Sequence, residues 1–313
     1  MTIAPLHITP EEVSQWSDRR SRFFHASCLV TKHAPRGKGW LVRTTGRLLA
    51  PGRKLVMRTA YDACLAIDPL NLDVYTTMAV APGPSESDVL FASASAIAPG
   101  GVYFDVGANA GYLSLEMIKL FGDTIRVFAF EPQASLAHTI AVSVELNGFS
   151  NMSVFSTLVG DKDGIGTLYV GSHSIHASGV AREPGSRLLR PPMDSLDRLI
   201  SDGTVPVPSV IKVDVEGAER SVFQGAAATL REHHPYLVFE SDENTERFGY
   251  DRTDLLRYLH DLAGYRFFGI GVDTFEPEPK DGPSSGLQNI LAVGPDQPVP
   301  APRRLESRRY PAV

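Results

Sequence analysis

Gly101-Val102-Tyr103-Phe104-Asp105-Val106 runs directly into Gly107-Ala108-Asn109-Ala110-Gly111, and this stretch decides the fold. An apolar run, a turn of small residues and apolar spacing at helical period over Tyr112–Phe121 read as buried strand, tight turn and helix. The pattern then repeats. Ile125–Phe130, Met152–Leu158, Val210–Val215 and Tyr236–Glu240 are further strands, with helices expected over Ser135–Leu146, Pro192–Ile200, Arg220–Arg231 and Thr253–Leu262. Upstream, Ser85 and Asp88 stand at capping spacing before a helix expected over Val89–Ile97. Tyr265–Ile270 and Asn289–Val293 close the series; only a loop separates them, so an antiparallel pair at the sheet edge is expected. Strands alternating with helices imply crossover units. The expected fold is therefore α/β: a Rossmann-type, doubly wound, mostly parallel sheet of seven strands. Residues 1–88 are expected to form an N-terminal accessory region, 89–294 the Rossmann-type domain and 295–313 an irregular tail.

Composition narrows the classes of function. The 313 residues are 43% hydrophobic, enough for a full core, which excludes a disordered scaffold. No apolar run approaches the roughly 18 residues of a membrane-spanning helix. Met1–Arg20 holds Pro5, Pro10 and the adjacent Glu11 and Glu12, a pattern unlike a secretory signal. Cys28 and Cys64 offer neither a disulfide framework nor metal-ligand spacing, so a reducing, cytoplasmic setting is expected. The net charge of −6 hides an asymmetry: Arg19–Arg58 contains eleven of the thirty Lys and Arg residues and no Asp or Glu. Such a block is either a solvated face or a capture surface for an anionic partner. A nucleic-acid partner is not expected, because the rest of the chain is strongly acidic and aromatics are not interleaved with the basic residues.

The turn after the first strand selects the ligand. A dinucleotide site asks for G-x-G-x-x-G, so that a pyrophosphate can rest on the helix N-terminus. Here Asn109 stands in place of the second glycine, and Asp105 brings a carboxylate to the mouth of the turn. That charge opposes a pyrophosphate and suits a ligand carrying ammonium or sulfonium, such as S-adenosyl-L-methionine. Glu131 ends the second strand, placed to accept hydrogen bonds from the hydroxyls of an adenosine ribose. Val159-Gly160-Asp161 follows the third strand, with Asp161 an acceptor for an exocyclic amine. Taken singly, each acid also reads as an ordinary cap or turn residue.

Asp105–Glu116 (DVGANAGYLSLE), FAFEP at 128–132, the SLDRLI helix at 195–200, IKVDVEGAERSVFQGA at 211–226 and PYLVFE at 235–240 resemble the FkbM family of S-adenosylmethionine-dependent methyltransferases. The resemblance covers about Glu86 to Val293. It implies a Rossmann-type methyltransferase acting mostly on hydroxyl groups of sugars, glycolipids, polysaccharides or natural products. On that likeness Asp105, Gly107, Asn109, Gly111, Glu131 and Asp161 fall on cofactor-contact positions.

The chemistry is expected at the end of the fourth strand. Alternation puts Lys212, Asp214 and Glu216 on one side, where they either pair internally, Lys212 with Asp214 or Glu216, or face a pocket. Glu240 ends the neighbouring strand, so Asp214, Glu216 and Glu240 are expected to converge as a carboxylate base or as oxygen ligands for a divalent ion. No repeated ligand pattern is present, so Mg²⁺ is possible but the metal-free route is preferred. His173 and His176, three apart on a polar loop, are an exposed pair or an alternative base. The reading is thus a methyltransferase for a small-molecule or glycan acceptor, possibly anionic or carrier-bound. Its rivals are an NAD-type oxidoreductase and a non-catalytic cofactor-binding module.

Overall fold

The structure, a computed structural model, describes residues 3–16, 55–67, 87–170, 177–178, 186–240, 243–271, 273–277, 289–303 and 305. Its centre is a sheet of β1 (Val102–Val106), β2 (Arg126–Phe130), β3 (Met152–Phe155), β4 (Val210–Val213), β5 (Tyr236–Glu240), β6 (Arg266–Ile270), β7 (Phe275–Pro277) and β8 (Asn289–Val293). The order is β7-β6-β8-β5-β4-β1-β2-β3. β5, β4, β1, β2 and β3 pair in parallel, whereas β8 runs antiparallel to both β5 and β6, and β7 antiparallel to β6. The α/β architecture is as expected, with eight strands rather than seven. Tyr265–Ile270 and Asn289–Val293 do pair antiparallel, but the second lies inside the sheet and the short β7 forms the edge. Three residues, Phe275-Glu276-Pro277, are too few to show a period.

Helices cover both faces: α1 (Ser87–Ala96), α2 (Tyr112–Phe121), α3 (Ala134–Asn147), α4 (Leu196–Ser201), α5 (Glu219–Gln224), α6 (Ala227–His233) and α7 (Arg252–Ala263). Alternation along each strand divides the core in two. Tyr103, Val127, Val210 and Val238 join the cluster under α1, α2 and α3. Phe104, Phe130, Ile211 and Phe239 join the cluster under α4 to α7. On that second face Phe104 meets Phe130 edge-on at 5.4 Å, and Phe130 stacks on Phe155 at 5.4 Å, tying β1, β2 and β3 together. Each such pair adds about 0.5–1.5 kcal/mol beyond its buried area.

Three expected elements differ, each for a tertiary reason. The strand from Met152 ends at Phe155, because the Thr157 hydroxyl turns to Asp194 Oδ2 at 2.9 Å and the Pro192 carbonyl at 3.1 Å. Pro192–Asp194 is a strand, parallel to Leu158–Val159, and the helix begins only at Leu196. The helix expected over Arg220–Arg231 is two helices broken at Gly225, where a Cβ would lie 1.9 Å from the Gly160 carbonyl oxygen.

Segments outside the sheet fasten to it. Leu6 donates its amide to the Val154 carbonyl at 2.8 Å, which fastens the chain there to β3. An antiparallel hairpin, Leu55–Arg58 with Cys64–Ile67, lies on α3 through Asn147, which accepts from the Cys64 amide at 2.8 Å and donates to its carbonyl at 2.7 Å. Leu55, Met57, Leu65 and Ile67 belong to the same cluster as α2 and α3. The described residues of the tail, 295–303 and 305, form no helix or strand, and Arg303 anchors them: its amide donates to Ser95 Oγ at 3.0 Å, with its guanidinium 4.5 Å from the Phe121 ring centre. Most of the basic block, Cys28, Ser85, His173 and His176 lie outside the described residues. Among the described residues, no helix is long and apolar enough to cross a membrane.

Candidate active site

β1 and β4 are neighbours, yet the chain leaves β1 toward β2 and returns to β4 on the other side. Open α/β sheets bind ligands at such a reversal, beyond the carboxyl ends of the strands. A cleft lies there, with about 820 Å³ of empty space including open solvent. Gly107, Asn109, Glu131, Asp214 and Glu216 line it, with Thr157, Leu158, Leu168 and Met193 from the segment after β3.

The glycine turn forms one wall. Gly107 and Ala108 both donate amides to the Phe130 carbonyl at 3.0 Å, folding the turn over the end of β2. Gly107 has φ +78°, and a Cβ there would come within 1.9 Å of the Asp214 carbonyl oxygen, so only glycine lets the two loops meet. Asn109 follows in the left-handed region, φ +53°, with its Oδ1 buried and lacking a hydrogen-bond partner. Gly111 differs from the expectation of ligand contact. It is not among the lining residues, and a Cβ on it would meet Ile140 Cγ2 at 2.8 Å, so it lets α2 approach α3.

Glu131 is 3% exposed and lies against the cleft. Its Oε2 accepts the Asn109 amide and its Oε1 the Gln133 amide, both at 2.8 Å. Each carboxylate oxygen retains a further lone pair. Burial, opposed by those two amides and Lys212, raises its pKa to about 7.

Asp105 sits one layer below. It is 1% exposed and not among the lining residues. Its Oδ2 accepts the Ser114 hydroxyl at 2.6 Å, and its Oδ1 is 3.0 Å from Lys212 Nζ. Lys212 also donates to the Gly107 carbonyl at 2.9 Å and stands 3.7 Å from Asp214 Oδ2. The expected partner of Lys212 was Asp214 or Glu216; the nearer one is Asp105, because the parallel register sets Lys212 opposite Asp105. Asp105 is therefore a counter-charge to Lys212 rather than a group open to the cleft.

The other expected residues separate. Asp214 and Glu216 both line the cleft and are half-buried. Glu240 does not join them: it lies at the end of β5, opposite Asn289, with the turn after β4 between it and the cleft. Asp161 is exposed at the rim, its carboxylate accepting the Ser221 hydroxyl at 3.2 Å, while Val159, Gly160 and Ser221 line the cleft. No group of three His, Cys, Asp or Glu able to hold a metal ion occurs among the described residues.

Sequence reasoning passed over Glu219, three residues beyond Glu216. It is 2% exposed, and burial raises its pKa to about 7. A second acid at the start of α5 was the available signal, masked by the ordinary use of acids at helix starts.

The family model of the methyltransferase FkbM domain matches residues 105–267, from the acid of the glycine turn to β6. The chain belongs to the FkbM methyltransferase family. Solved structures similar to this FkbM chain include the methyltransferase FkbM from Methylobacillus flagellatus KT, at 14% identity and a TM-score of 0.45 over 86% of this chain and 58% of that one. This chain thus spans under two thirds of that relative's length. A SAM-dependent O-methyltransferase from Thermotoga maritima is 12% identical, with a TM-score of 0.39 over 80% of this chain and 79% of that one. The precorrin-6y C5,15-methyltransferase from Geobacter metallireducens GS-15 is 16% identical, TM-score 0.38, over 67% of this chain and 89% of that one. Curated proteins yield no match to the FkbM chain.

Proposed function

We propose that this protein transfers a methyl group from S-adenosyl-L-methionine to a hydroxyl group of a small-molecule or glycan acceptor. The observation that carries the reading is Glu131, a buried carboxylate held by two backbone amides with its remaining lone pairs beside the cleft. Vicinal ribose hydroxyls are donors that suit such an acceptor. The unpartnered Asn109 Oδ1 and the bare approach of Gly107 to Asp214 fit a cofactor laid along the turn, with no second glycine for a pyrophosphate.

The donor supplies a methyl carbon already activated on sulfonium, so the protein's work is positioning. The new bond joins the acceptor oxygen to carbon as the carbon–sulfur bond breaks, and the hydroxyl proton must leave. Asp214 and Glu216, the two carboxylates on the cleft wall after β4, are the groups placed to take it. Lys212, 3.7 Å from Asp214, already sets a positive charge beside that carboxylate and so opposes a bound cation. The route therefore needs no metal. Residues 1–88 would add an accessory layer, with 89–294 forming the catalytic domain.

A methyl-labelled donor and a panel of hydroxyl, amine and carbon acceptors test the reading, with and without EDTA. Label should enter an ether linkage, survive chelation, and fall steeply with Asp214→Asn. Label found only in amines, or activity lost to EDTA and restored by Mg²⁺, overturns the corresponding part.

A further inference from the structure

The turn after β4 carries both candidate carboxylates in a backbone shape that does not hold itself. Glu216 has φ +58° and Gly217 φ +101°, so a non-glycine residue sits in the left-handed region at the cleft wall. Such a conformation is strained and persists only where surrounding groups impose it. Two side chains supply that constraint from behind the cleft. Glu219 Oε1 accepts the Gly217 amide at 3.0 Å and the Val215 amide at 3.4 Å, one on each side of Glu216. Tyr250, thirty-one residues further on, donates its hydroxyl to the Gly217 carbonyl at 2.6 Å and lies 3.3 Å from Glu219 Oε2. The same hydroxyl accepts the Arg220 amide at 3.2 Å. Glu219 and Tyr250 are 2% and 6% exposed, and neither lines the cleft.

We propose that Glu219 and Tyr250 are positioning residues for the cleft. They clamp the 215–217 turn so that Asp214 and Glu216 face the donor and acceptor, and so that the Asp214 carbonyl stays seated against Gly107. The inference rests on the donor-binding reading above only for its functional arm. Its physical basis is a buried acceptor whose hydrogen bonds are spent on amides of the turn, at a place where a packing role alone would be met by an apolar residue.

Two measurements on Glu219→Ala, Glu219→Gln and Tyr250→Phe decide it: backbone amide hydrogen exchange over 214–218, and calorimetric titration with S-adenosylhomocysteine. Glu219→Ala should lose protection at the Val215 and Gly217 amides and weaken the ligand by about tenfold, the equivalent of one hydrogen bond's free energy. Glu219→Gln keeps the acceptor oxygen and should restore both within about threefold. Tyr250→Phe, which removes one oxygen atom and leaves the ring, should weaken the ligand in the same direction. A fall in melting temperature with exchange and affinity at wild-type values would make the pair merely structural and overturn the proposal. So would a Glu219→Gln protein as damaged as Glu219→Ala. Should the wild-type protein bind no S-adenosylhomocysteine, the donor reading fails, and the exchange arm still decides the clamp.

Discussion

With Glu131 as the ribose acceptor, ligand affinity should depend on pH. Its pKa of about 7 comes first from burial, with the Gln133 and Asn109 amides and Lys212 pulling it down and Asp105 pushing it up. A carboxylate receiving two ribose hydroxyls must be ionised, so below that pKa binding first expels a proton. The apparent dissociation constant is then larger by about elevenfold at pH 6 and twofold at pH 7, and close to its limit at pH 8. Affinity for S-adenosylhomocysteine should therefore rise about tenfold, or 1.4 kcal/mol, between those extremes. Glu131→Gln removes the titration and one charge-assisted acceptor, so it should bind about 1.5–3 kcal/mol more weakly at high pH. Calorimetric titration at several pH values reads both proteins, and the ligand's own protonation cancels in their ratio. Glu219 also has a pKa of about 7, so Glu219→Gln serves as a second reference and should keep the slope. A wild-type-to-Gln ratio that does not vary with pH would refute the role assigned to Glu131.

Three further substitutions probe the scaffold. Gly107→Ala puts a Cβ 1.9 Å from the Asp214 carbonyl at φ +78°, so it should cost about 2–5 kcal/mol in urea unfolding; under about 1 kcal/mol would contradict the close approach. Glu116, fully buried on α2 and accepting the Tyr61 amide of the hairpin turn, has a pKa raised by burial from 4.5 to about 7. The stability it contributes is complete below pH 4.5 and lost as pH rises through about 7, so Glu116→Gln should gain on wild type by up to about 3 kcal/mol from pH 5 to pH 8. A pH-independent difference in unfolding free energy would remove the assignment. Lys212→Met leaves Asp105 buried without its cation and should cost about 3–5 kcal/mol, most of it recovered when Asp105→Asn is added. Equal denaturation midpoints for the single and double variants would show that the pair is not coupled.

The parts legible in the sequence were those with a local signal. β1, β2, β4 and β5 are mostly apolar stretches of four or five residues that end at a glycine turn or an acid, and the structure has them there. Glu131, Asp214 and Glu216 reach the cleft because each stands one to three residues beyond a strand at the sheet's reversal or next to it. What was not legible depends on pairs far apart in the chain. Gly225 breaks a helix because Gly160 lies against it, and nothing near Gly225 announces that. Lys212 turns to Asp105 through a register between β1 and β4 that no local pattern encodes. Gly111 reads like a ligand-contact glycine but serves Ile140. Glu131 follows β2 and Glu240 ends β5, strands placed symmetrically about the reversal; the glycine turn bonds Glu131 through the Asn109 amide at the cleft, whereas Glu240 lies opposite Asn289 of β8, so a similar local signal carries a different meaning.

On the proposed function, the cleft between the glycine turn and the turn after β4 takes an adenosyl sulfonium donor and not a dinucleotide. Parallel calorimetric titrations of the wild-type protein with S-adenosylhomocysteine and with NAD test it most directly. Saturable binding of S-adenosylhomocysteine at one site per chain and no heat from NAD are expected; saturable binding of NAD with none of S-adenosylhomocysteine would overturn the donor reading.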